Sequence, residues 1–227
     1  MPVRPPGALD LPGPPRSRGV NPRSWIMSCS VKCGVGGCVT SVLLLVAAAC
    51  GAPLPAPELR YREERTQAVR NALPPSEAMH FNGLRFYPFD PALRLRAMIE
   101  PIVPSEALRI AASNGELRPA HRVGRVHLHF PGGAAVLTVF RLDDMQAEYP
   151  DALFLPFRDA GAGKETYGAG RYLEIERLPG GVVSLDFNRA YNPDCAYGIA
   201  GQCPITPPEN TVPFAIRAGE MIPAGSH

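Results

Sequence analysis

The chain has 227 residues, of which 45% are apolar and 19% charged, a globular composition that excludes wholesale disorder. Its 27 prolines and 22 glycines favour short strands and many turns over a helix bundle. The formal net charge is +2, but residues 1–50 hold five basic groups and one acid, so the rest carries 18 basic and 20 acidic groups. Such a chain lacks the basic face of a nucleic-acid-binding protein, and we expect no nucleic-acid partner.

The first part of the chain has the pattern of a targeting leader. Residues 1–26 are rich in proline, arginine and glycine, and we interpret them as a non-native or disordered extension before a translation start at Met27. Residues 27–49 contain a short basic region and an apolar run that suits a signal peptide but is too short for a spanning helix. The alternative is translation from Met1, which would make the extension a cytoplasmic tail.

Cys50 ends this leader in the context Val46-Ala-Ala-Ala-Cys50, which resembles a bacterial lipobox. A lipobox usually has leucine three residues before the cysteine, where this chain has Ala47. We predict a lipidated cysteine and a Pro/Ala tether over residues 50–57, with acyl chains that hold the protein on a bacterial membrane outside the cytoplasm. The same residues fit the rule of ordinary signal peptidase, so secretion after cleavage at Ala49 is the alternative.

Residues 58–222 are predicted to form one globular, β-rich domain, and a helix over Pro57–Ala72 marks its start. Pro57 suits the first turn of a helix, Glu58 suits its positive N-terminal end, and Pro74-Pro75 would stop it. The apolar positions of this helix are sparse, which indicates that it lies against the surface of a sheet.

From Phe81 onward the apolar period changes to two, as in half-buried strands. Short strands with turn signals between them predict a mainly β fold, a single antiparallel β sandwich or barrel-like domain with one N-terminal helix. The predicted strands include Leu93–Glu100, Arg125–Phe130, Ala135–Arg141, Leu153–Phe157 and Val212–Arg217.

The turn Pro179-Gly180-Gly181 predicts a hairpin and its register. A two-residue loop would mix the apolar and polar faces of the two arms. A three-residue loop with glycine in the left-handed conformation aligns the apolar residues of both arms on one side. The opposite side would then be a polar face formed by Tyr172, Glu174, Ser184, Asp186 and Asn188.

Several separated motifs resemble the signature of an uncharacterised family, domain of unknown function (DUF) family 1684, in its short form with a lipoprotein-like leader. The resemblance covers about Tyr61 to Met221, with departures at Ala160 and Met221, where the family tends to have threonine and lysine. It implies a shared fold and no established activity. The motifs are Thr166–Tyr172, Leu185–Pro193, Cys195, Cys203-Pro204, Pro207–Asn210 and Ile216–Glu220.

The polar residues of this block are the candidate site. Arginine binds carboxylates through two parallel hydrogen bonds, so Arg171 or Arg189 is expected to pair with Asp186 or Glu165. Such a network either holds a C-terminal loop over the sheet, which we favour, or lines a ligand pocket. The candidate residues are Glu165, Tyr167, Arg171, Tyr172, Asp186, Asn188, Arg189 and Glu209.

Cys195 and Cys203 lie eight positions apart and, outside the cytoplasm, predict a disulfide. The alternatives are a cysteine nucleophile, which would need a nearby base, and a metal site formed with His127 and His129. We expect no metal and no cofactor. The pair of glycines in Gly168-Ala-Gly170 precedes a strand, whereas the dinucleotide fingerprint lies between a strand and a helix.

These observations predict an extracytoplasmic lipoprotein, a non-catalytic module of the cell envelope that binds a small ligand or another envelope protein. The alternative is an enzyme of unassigned type that uses Glu165, Asp186 and Arg171 in a polar pocket. The common hydrolase motifs, including G-x-S-x-G and H-E-x-x-H, do not occur in the sequence, so we lean toward binding.

Overall fold

The computed structural model describes residues 53–224, so the predicted extension, signal peptide and Cys50 lie outside the described residues. Two helices, α1 (Ala56–Ala72) and α2 (Pro75–Ala78), precede the strands. None of the helices in the described part is long and apolar enough to cross a membrane. The strands are β1 (Arg94–Ala111), β2 (Leu117–Phe130), β3 (Gly133–Leu142), β4 (Phe154–Phe157), β5 (Arg171–Glu174), β6 (Glu176–Arg177) and β7 (Val182–Asp186).

The seven strands form one antiparallel sheet in the order β5-β4-β3-β2-β1-β7-β6. The two edge strands, β5 and β6, are separated in the chain by Ile175 alone. One bent segment therefore supplies both edges, and the sheet curls into a nearly closed barrel. The predicted mainly β fold with an N-terminal helix is confirmed, and the barrel is the form that it takes.

The barrel interior is filled by the inward-facing side chains that the period of two predicted. Val126 and Leu128 of β2 are fully or almost fully buried, and each such side chain contributes roughly 1.5–3 kcal/mol to folding. Phe187 packs edge-to-face on Phe130 and Phe157, with ring centroids 5.0 and 5.2 Å apart. The core thus joins residues from β2, β4 and the turn after β7.

Strand β1 is much longer than predicted and has two parts. The first part pairs with both β2 and β7, and its register with β2 shifts between Pro101 and Glu106. Beyond this bulge, β1 and β2 continue as a hairpin with a small second core of Ile110, Ala120 and Phe140. The bulge lets one strand contribute to the barrel and to an extension beyond it.

The three-residue turn predicted between β6 and β7 is confirmed. Leu178 donates its backbone N–H to the carbonyl of Val182 at 2.8 Å, so Pro179–Gly181 form the loop. Gly180 and Gly181 both have φ of 77°, in the left-handed region that glycine adopts without strain. The predicted register of the hairpin therefore holds where the two strands pair.

The predicted polar face along this hairpin does not form as one surface. Before Ile175 the chain pairs with β4 instead of β7, so Tyr172 lies opposite Pro156. Tyr172 is buried, and its hydroxyl donates to the carbonyl of Pro204 at 2.5 Å. Asp186 lies opposite Arg94 at the start of β1. The hairpin is too short to carry the whole set because the strand changes partner.

The prediction of a last strand over Val212–Arg217 is wrong. Val212 and Ile216 are buried as the alternation predicted, but the segment joins no ladder. We call residues 212–222 the C-terminal segment. Single main-chain hydrogen bonds attach it to several places, including Val212 N–H to the Arg158 carbonyl at 2.8 Å and Met221 N–H to the Arg85 carbonyl at 2.8 Å. The carbonyls of Ile216, Ala218 and Glu220 have a side-chain partner instead, because no strand lies alongside the segment to supply a continuous row of donors.

Helix α1 starts one residue earlier than predicted, at Ala56, and ends at Ala72 as predicted. Its buried residues are Glu58, Arg65 and Val69, so the face turned toward the domain is mostly charged. The sparse apolar pattern follows from this, since the helix docks through ion pairs as well as apolar contacts.

Candidate functional site

A buried ion pair between Arg171 and Asp159 lies under the C-terminal segment. Arg171 Nη2 donates to Asp159 Oδ2 and to the Ile216 carbonyl, both at 2.7 Å. Nη1 donates to the carbonyls of Ala218 and Glu220, the latter at 3.0 Å. One fully buried guanidinium group therefore supplies the donors that a paired strand would have given to this segment.

Asp159 completes this arrangement with both carboxylate oxygens. Oδ2 accepts from Ile216 N–H at 3.1 Å, and Oδ1 accepts from Gly161 N–H at 2.9 Å and Thr166 Oγ1 at 2.7 Å. Burial lowers the pKa of Arg171 from its ordinary value, and the facing Asp159 carboxylate opposes that shift. The pair fastens the C-terminal segment to the barrel, which is a structural task.

A second buried pair joins α1 to the other end of the same segment. Arg65 Nε donates to Glu220 Oε1 at 3.0 Å, and Arg65 Nη2 donates to the Asn192 carbonyl at 2.9 Å. Glu220 Oε2 accepts from Asn192 N–H at 2.8 Å and from Tyr197 Oη at 2.5 Å. Burial and the Glu220 carboxylate raise the pKa of Tyr197 well above its ordinary value, so the phenol remains a donor.

Three arginines surround the fully buried carboxylate of Glu58. Arg62 Nε lies 3.1 Å from it, Arg189 Nε 3.6 Å and Arg94 Nη2 4.0 Å. Arg94 Nε also donates to Asp186 Oδ2 at 2.7 Å. We call Arg62, Arg94 and Arg189 the arginine cluster. The side chains of Arg94 and Arg189 are 43% and 37% exposed, so the cluster reaches the surface.

Asn188 is fully buried and ties the turn after β7 to the start of β1. Its Nδ2 donates to the Asp90 carbonyl at 2.8 Å and to Asp186 Oδ1 at 2.9 Å. Its Oδ1 accepts from Asp90 N–H at 2.8 Å. These bonds position Asp186 next to Arg94.

Glu165 lies in a different, exposed pair with Arg217. The guanidinium group binds the carboxylate through two bonds of 2.7 and 2.8 Å, and these hydrogen bonds lower the pKa of Glu165. Tyr87 Oη donates to Glu165 at 3.3 Å, and burial together with this carboxylate raises the pKa of Tyr87 to about 12. With side chains 41% and 64% exposed, the pair is screened by solvent.

Glu209 and Asn210 occupy the loop that leads into the C-terminal segment. Glu209 pairs with Arg122 on the surface at 2.8 Å. Asn210 is fully buried and binds two strands at once. Its Nδ2 donates to the carbonyls of Thr138 and Pro156 at 2.8 and 2.7 Å, and its Oδ1 accepts from Thr138 N–H at 2.7 Å.

Replacing this buried amide should destabilise the protein. Asn210→Ala removes three hydrogen bonds and leaves the Thr138 N–H buried without its acceptor, so we expect a loss of about 2–3 kcal/mol in unfolding free energy. Glu209→Ala is the matched control on the same loop, because a partly exposed ion pair contributes less than about 1 kcal/mol. Urea denaturation of both variants measures the difference. Equal losses would contradict the structural role of Asn210.

The predicted disulfide is present in the structure, between Cys195 and Cys203. Both sulfurs are thereby occupied, which leaves no thiolate on these residues for a metal or a nucleophile. His127 lies on the exposed face of β2 with Nε2 3.2 Å from Glu100 Oε2. Among residues 53–224, no cluster of His, Cys, Asp or Glu side chains has the arrangement of a metal site.

A surface groove of about 420 Å³ runs beside α1. The guanidinium group of Arg62 lies 4.7 Å from the centroid of the Phe86 ring within it. Arg62 Nη2 is buried and has no hydrogen-bond partner in the structure. The groove is lined by Arg62, Glu63, Thr66, Gln67, Arg70, Leu84 and Phe86.

The structure divides the predicted site residues among separate networks. Asp186, Asn188 and Arg189 lie together near Glu58, whereas Arg171 pairs with Asp159. The other candidates have other partners, and half-buried Tyr167 contributes its carbonyl to a turn. Their contacts are Glu165 to Arg217, Glu209 to Arg122, Tyr172 to Pro204 and Tyr167 to Gly170.

Four residues that organise these networks were not predicted. Asp159 lies two residues after Phe157, the last residue of the buried strand β4, and the period of two could have marked it as an inward-facing acid. Glu220 lies within the motif that ends the block. Arg65 shares a helical face with Glu58, seven positions away, but its charge suggested a solvent-exposed face. Asn210 lies in a proline-rich loop, where nothing local indicates its long-range partners.

Taken together, the fold and these contacts define a small antiparallel β barrel whose C-terminal segment is fastened by buried ion pairs. The chain belongs to the family described as protein of unknown function (DUF1684), whose model matches residues 79–221, more than half of the sequence. The resemblance drawn from the motifs is therefore confirmed.

One solved structure similar to this chain is the solution NMR structure of an uncharacterised protein from Haloarcula marismortui. The two share 29% sequence identity and a TM-score of 0.55, and the alignment covers 74% of this chain and 94% of that chain. No curated protein matches the sequence. These comparisons support the fold and assign no activity.

Proposed function

We propose that the protein is an extracytoplasmic lipoprotein, anchored through Cys50, whose barrel is a non-catalytic module that binds a small ligand or another envelope protein. The lipobox-like leader supports the location. The bridge between Cys195 and Cys203 is consistent with an oxidising compartment.

The groove beside α1 is the observation that carries the binding role. Its volume of about 420 Å³ lies in the range of small-molecule sites. A buried guanidinium nitrogen without an acceptor is costly, and Arg62 Nη2 is in that position. A rotation of the Arg62 side chain into the groove would let a carboxylate, phosphate or carbonyl oxygen of a ligand supply the missing acceptor, and the Phe86 ring offers apolar contact. The ligand class is therefore a small molecule or peptide group with an exposed oxygen acceptor.

The enzyme alternative would need Glu165, Asp186 and Arg171 around one pocket. Each of the three has its own partners, and Arg171 directs its donors at main-chain carbonyls. No specific observation favours a reaction at these residues, so the binding role is the one proposed.

A ligand screen tests this proposal if it includes a variant that blocks the groove. Gln67→Trp places a large ring in the groove from an exposed position of α1, and Gln202→Trp is the matched control at an exposed position outside it. A ligand at a hundred times its Kd raises the unfolding free energy by about 2.7 kcal/mol. Thermal unfolding with a library of carboxylates, phosphates and short peptides should find this shift in the parent protein and in Gln202→Trp.

The same compounds should fail to stabilise Gln67→Trp, because the ring occupies their site. Compounds that stabilise both tryptophan variants equally would bind elsewhere and would contradict the assignment of the groove.

A further inference from the structure

A cationic and apolar surface lies at the N-terminal end of α1. Arg94 and Arg189, from β1 and the turn after β7, meet at Glu58 in the first turn of the helix. Arg60 is exposed on the same helix end, and Leu59 beside it is 48% exposed. We call Leu59, Arg60, Arg94 and Arg189 the α1-end surface.

The acidic residues next to Arg94 and Arg189 do not cover their guanidinium groups completely. Glu58 is fully buried and also binds Arg62, while Asp186 is shared between Arg94 and Arg189. Glu174 also interacts electrostatically with Arg189. The side chains of Arg94 and Arg189 nevertheless remain 43% and 37% exposed, and Arg60 is exposed as well. The surface is thus suited to an anionic oxygen supplied from outside the domain.

The length of the tether places this surface close to the anchor. The chain between Cys50 and the helix start at Ala56 spans at most about 20 Å when fully extended. A compact domain of this size is about 40 Å across. If Cys50 carries a lipid, the N-terminal end of α1 therefore lies within about 20 Å of the bilayer. That distance places the helix end in the half of the domain nearest to the membrane.

We propose that the α1-end surface rests on the membrane, with Arg60, Arg94 and Arg189 at lipid phosphates and Leu59 at the edge of the acyl region; this inference rests on the proposed anchor at Cys50. Guanidinium groups bind phosphate through paired hydrogen bonds, and basic residues at a membrane surface favour anionic lipids. The contact gives the barrel a defined orientation on the membrane.

This orientation carries the extended hairpin of β1 and β2 away from the bilayer. Arg94 begins β1, and Arg109 near its far end lies about 50 Å farther along the strand at the usual rise per residue. Leu117 opens β2 at that far end, opposite Ala111. Leu117, an exposed apolar residue, would then face the aqueous side.

Single tryptophan reporters test the orientation. The one tryptophan of the sequence, Trp25, precedes Cys50 and would be absent from the mature protein, so the parent protein supplies a low background. The full chain is expressed in bacteria, purified from membranes and reconstituted into phosphatidylcholine vesicles with and without phosphatidylglycerol. Leu59→Trp is the reporter on the α1-end surface, and Leu117→Trp, at a position 53% exposed, is the matched control.

We expect blue-shifted emission, quenched by brominated lipids, for Leu59→Trp and not for Leu117→Trp. Phosphatidylglycerol should increase the shift, and adding Arg60→Gln with Arg94→Gln should reverse that increase. Adding Arg109→Gln at the exposed far end of β1 should leave it unchanged. Equal emission from both reporters, or no effect of the two arginine changes, would overturn the proposal.

Failure of the anchor gives a different result. If the intact mass of the purified protein shows an acyl chain while Leu59→Trp stays solvent-exposed, the orientation is wrong and the anchor stands. If the mass shows no acyl chain, the anchor is wrong. A shift of Leu59→Trp on anionic vesicles alone would then still support the lipid-binding surface, and no shift would overturn it.

Discussion

Arg171→Met should lower the unfolding free energy by about 3–5 kcal/mol, because it leaves the Asp159 carboxylate buried without a counter-charge. It also removes the donors for the carbonyls of Ile216, Ala218 and Glu220, which join no strand ladder. Urea denaturation followed by circular dichroism measures the change. A double-mutant cycle with Asp159→Asn should be strongly non-additive, since the second substitution removes the unpaired charge.

The control for this prediction is Arg217→Met, in which the same substitution breaks the exposed pair with Glu165. Exposed ion pairs are screened by solvent and side-chain entropy opposes them, so we expect little change. If Arg171→Met proved as stable as Arg217→Met, the buried pair would not be what fastens the C-terminal segment.

Gly170→Ala should destabilise the protein by about 2–5 kcal/mol, the sum of backbone strain and steric overlap. Gly170 has φ of 102°, a conformation that residues with a side chain rarely adopt. A Cβ atom there would lie 2.1 Å from Thr206 Oγ1 and 2.7 Å from the Phe157 carbonyl oxygen. Neither neighbour can withdraw without disturbing β4 or the loop before the C-terminal segment.

Gly168→Ala is the matched substitution two residues earlier in the same G-x-G pattern. A Cβ atom at Gly168 would meet nothing closer than Gly163 Cα at 3.7 Å, which is ordinary contact. We expect a change of less than about 1 kcal/mol, with either sign. Thermal unfolding of the two alanine variants separates them. Similar losses in both would contradict the close packing around Gly170.

The register of the β6–β7 turn was predictable because two local rules agree. A period of two decides which side chains share a face, and Pro179-Gly180-Gly181 supplies the left-handed glycine that a three-residue loop requires. No local pattern indicates that the chain changes its pairing partner at Ile175, from β4 before it to β7 after it. Barrel closure depends on pairing between residues far apart in sequence, so the polar face predicted along the whole hairpin was wrong.

The alternation in Val212–Arg217 predicted burial correctly and pairing incorrectly. Val212 and Ile216 are each 2% exposed, yet the segment forms no ladder. An alternating pattern reports which side chains face the core. The pattern does not show whether a sheet edge is free to pair with the backbone of the segment. Here the side chain of Arg171 bonds the Ile216 carbonyl instead.

The sequence predicted that arginines pair with carboxylates, but it did not predict most of the partners. Arginine was expected to pair with nearby carboxylates, and Arg189 does lie 4.0 Å from Asp186. Arg171 instead pairs with Asp159, because β4 and β5 place Arg171 opposite Phe157, two residues before Asp159. Partners such as Arg65 and Glu220, which are far apart in the chain, could not be paired without the fold.

The intact mass of the protein isolated from cell envelopes tests the lipoprotein assignment most directly. We expect a mature N-terminus at Cys50 with the added mass of a diacylglyceryl group, and the loss of that mass in Cys50→Ser. The variant should also lose metabolic labelling with palmitate, while the disulfide between Cys195 and Cys203 remains intact. An unmodified Cys50 at the N-terminus, or a chain that keeps its leader, would contradict the account.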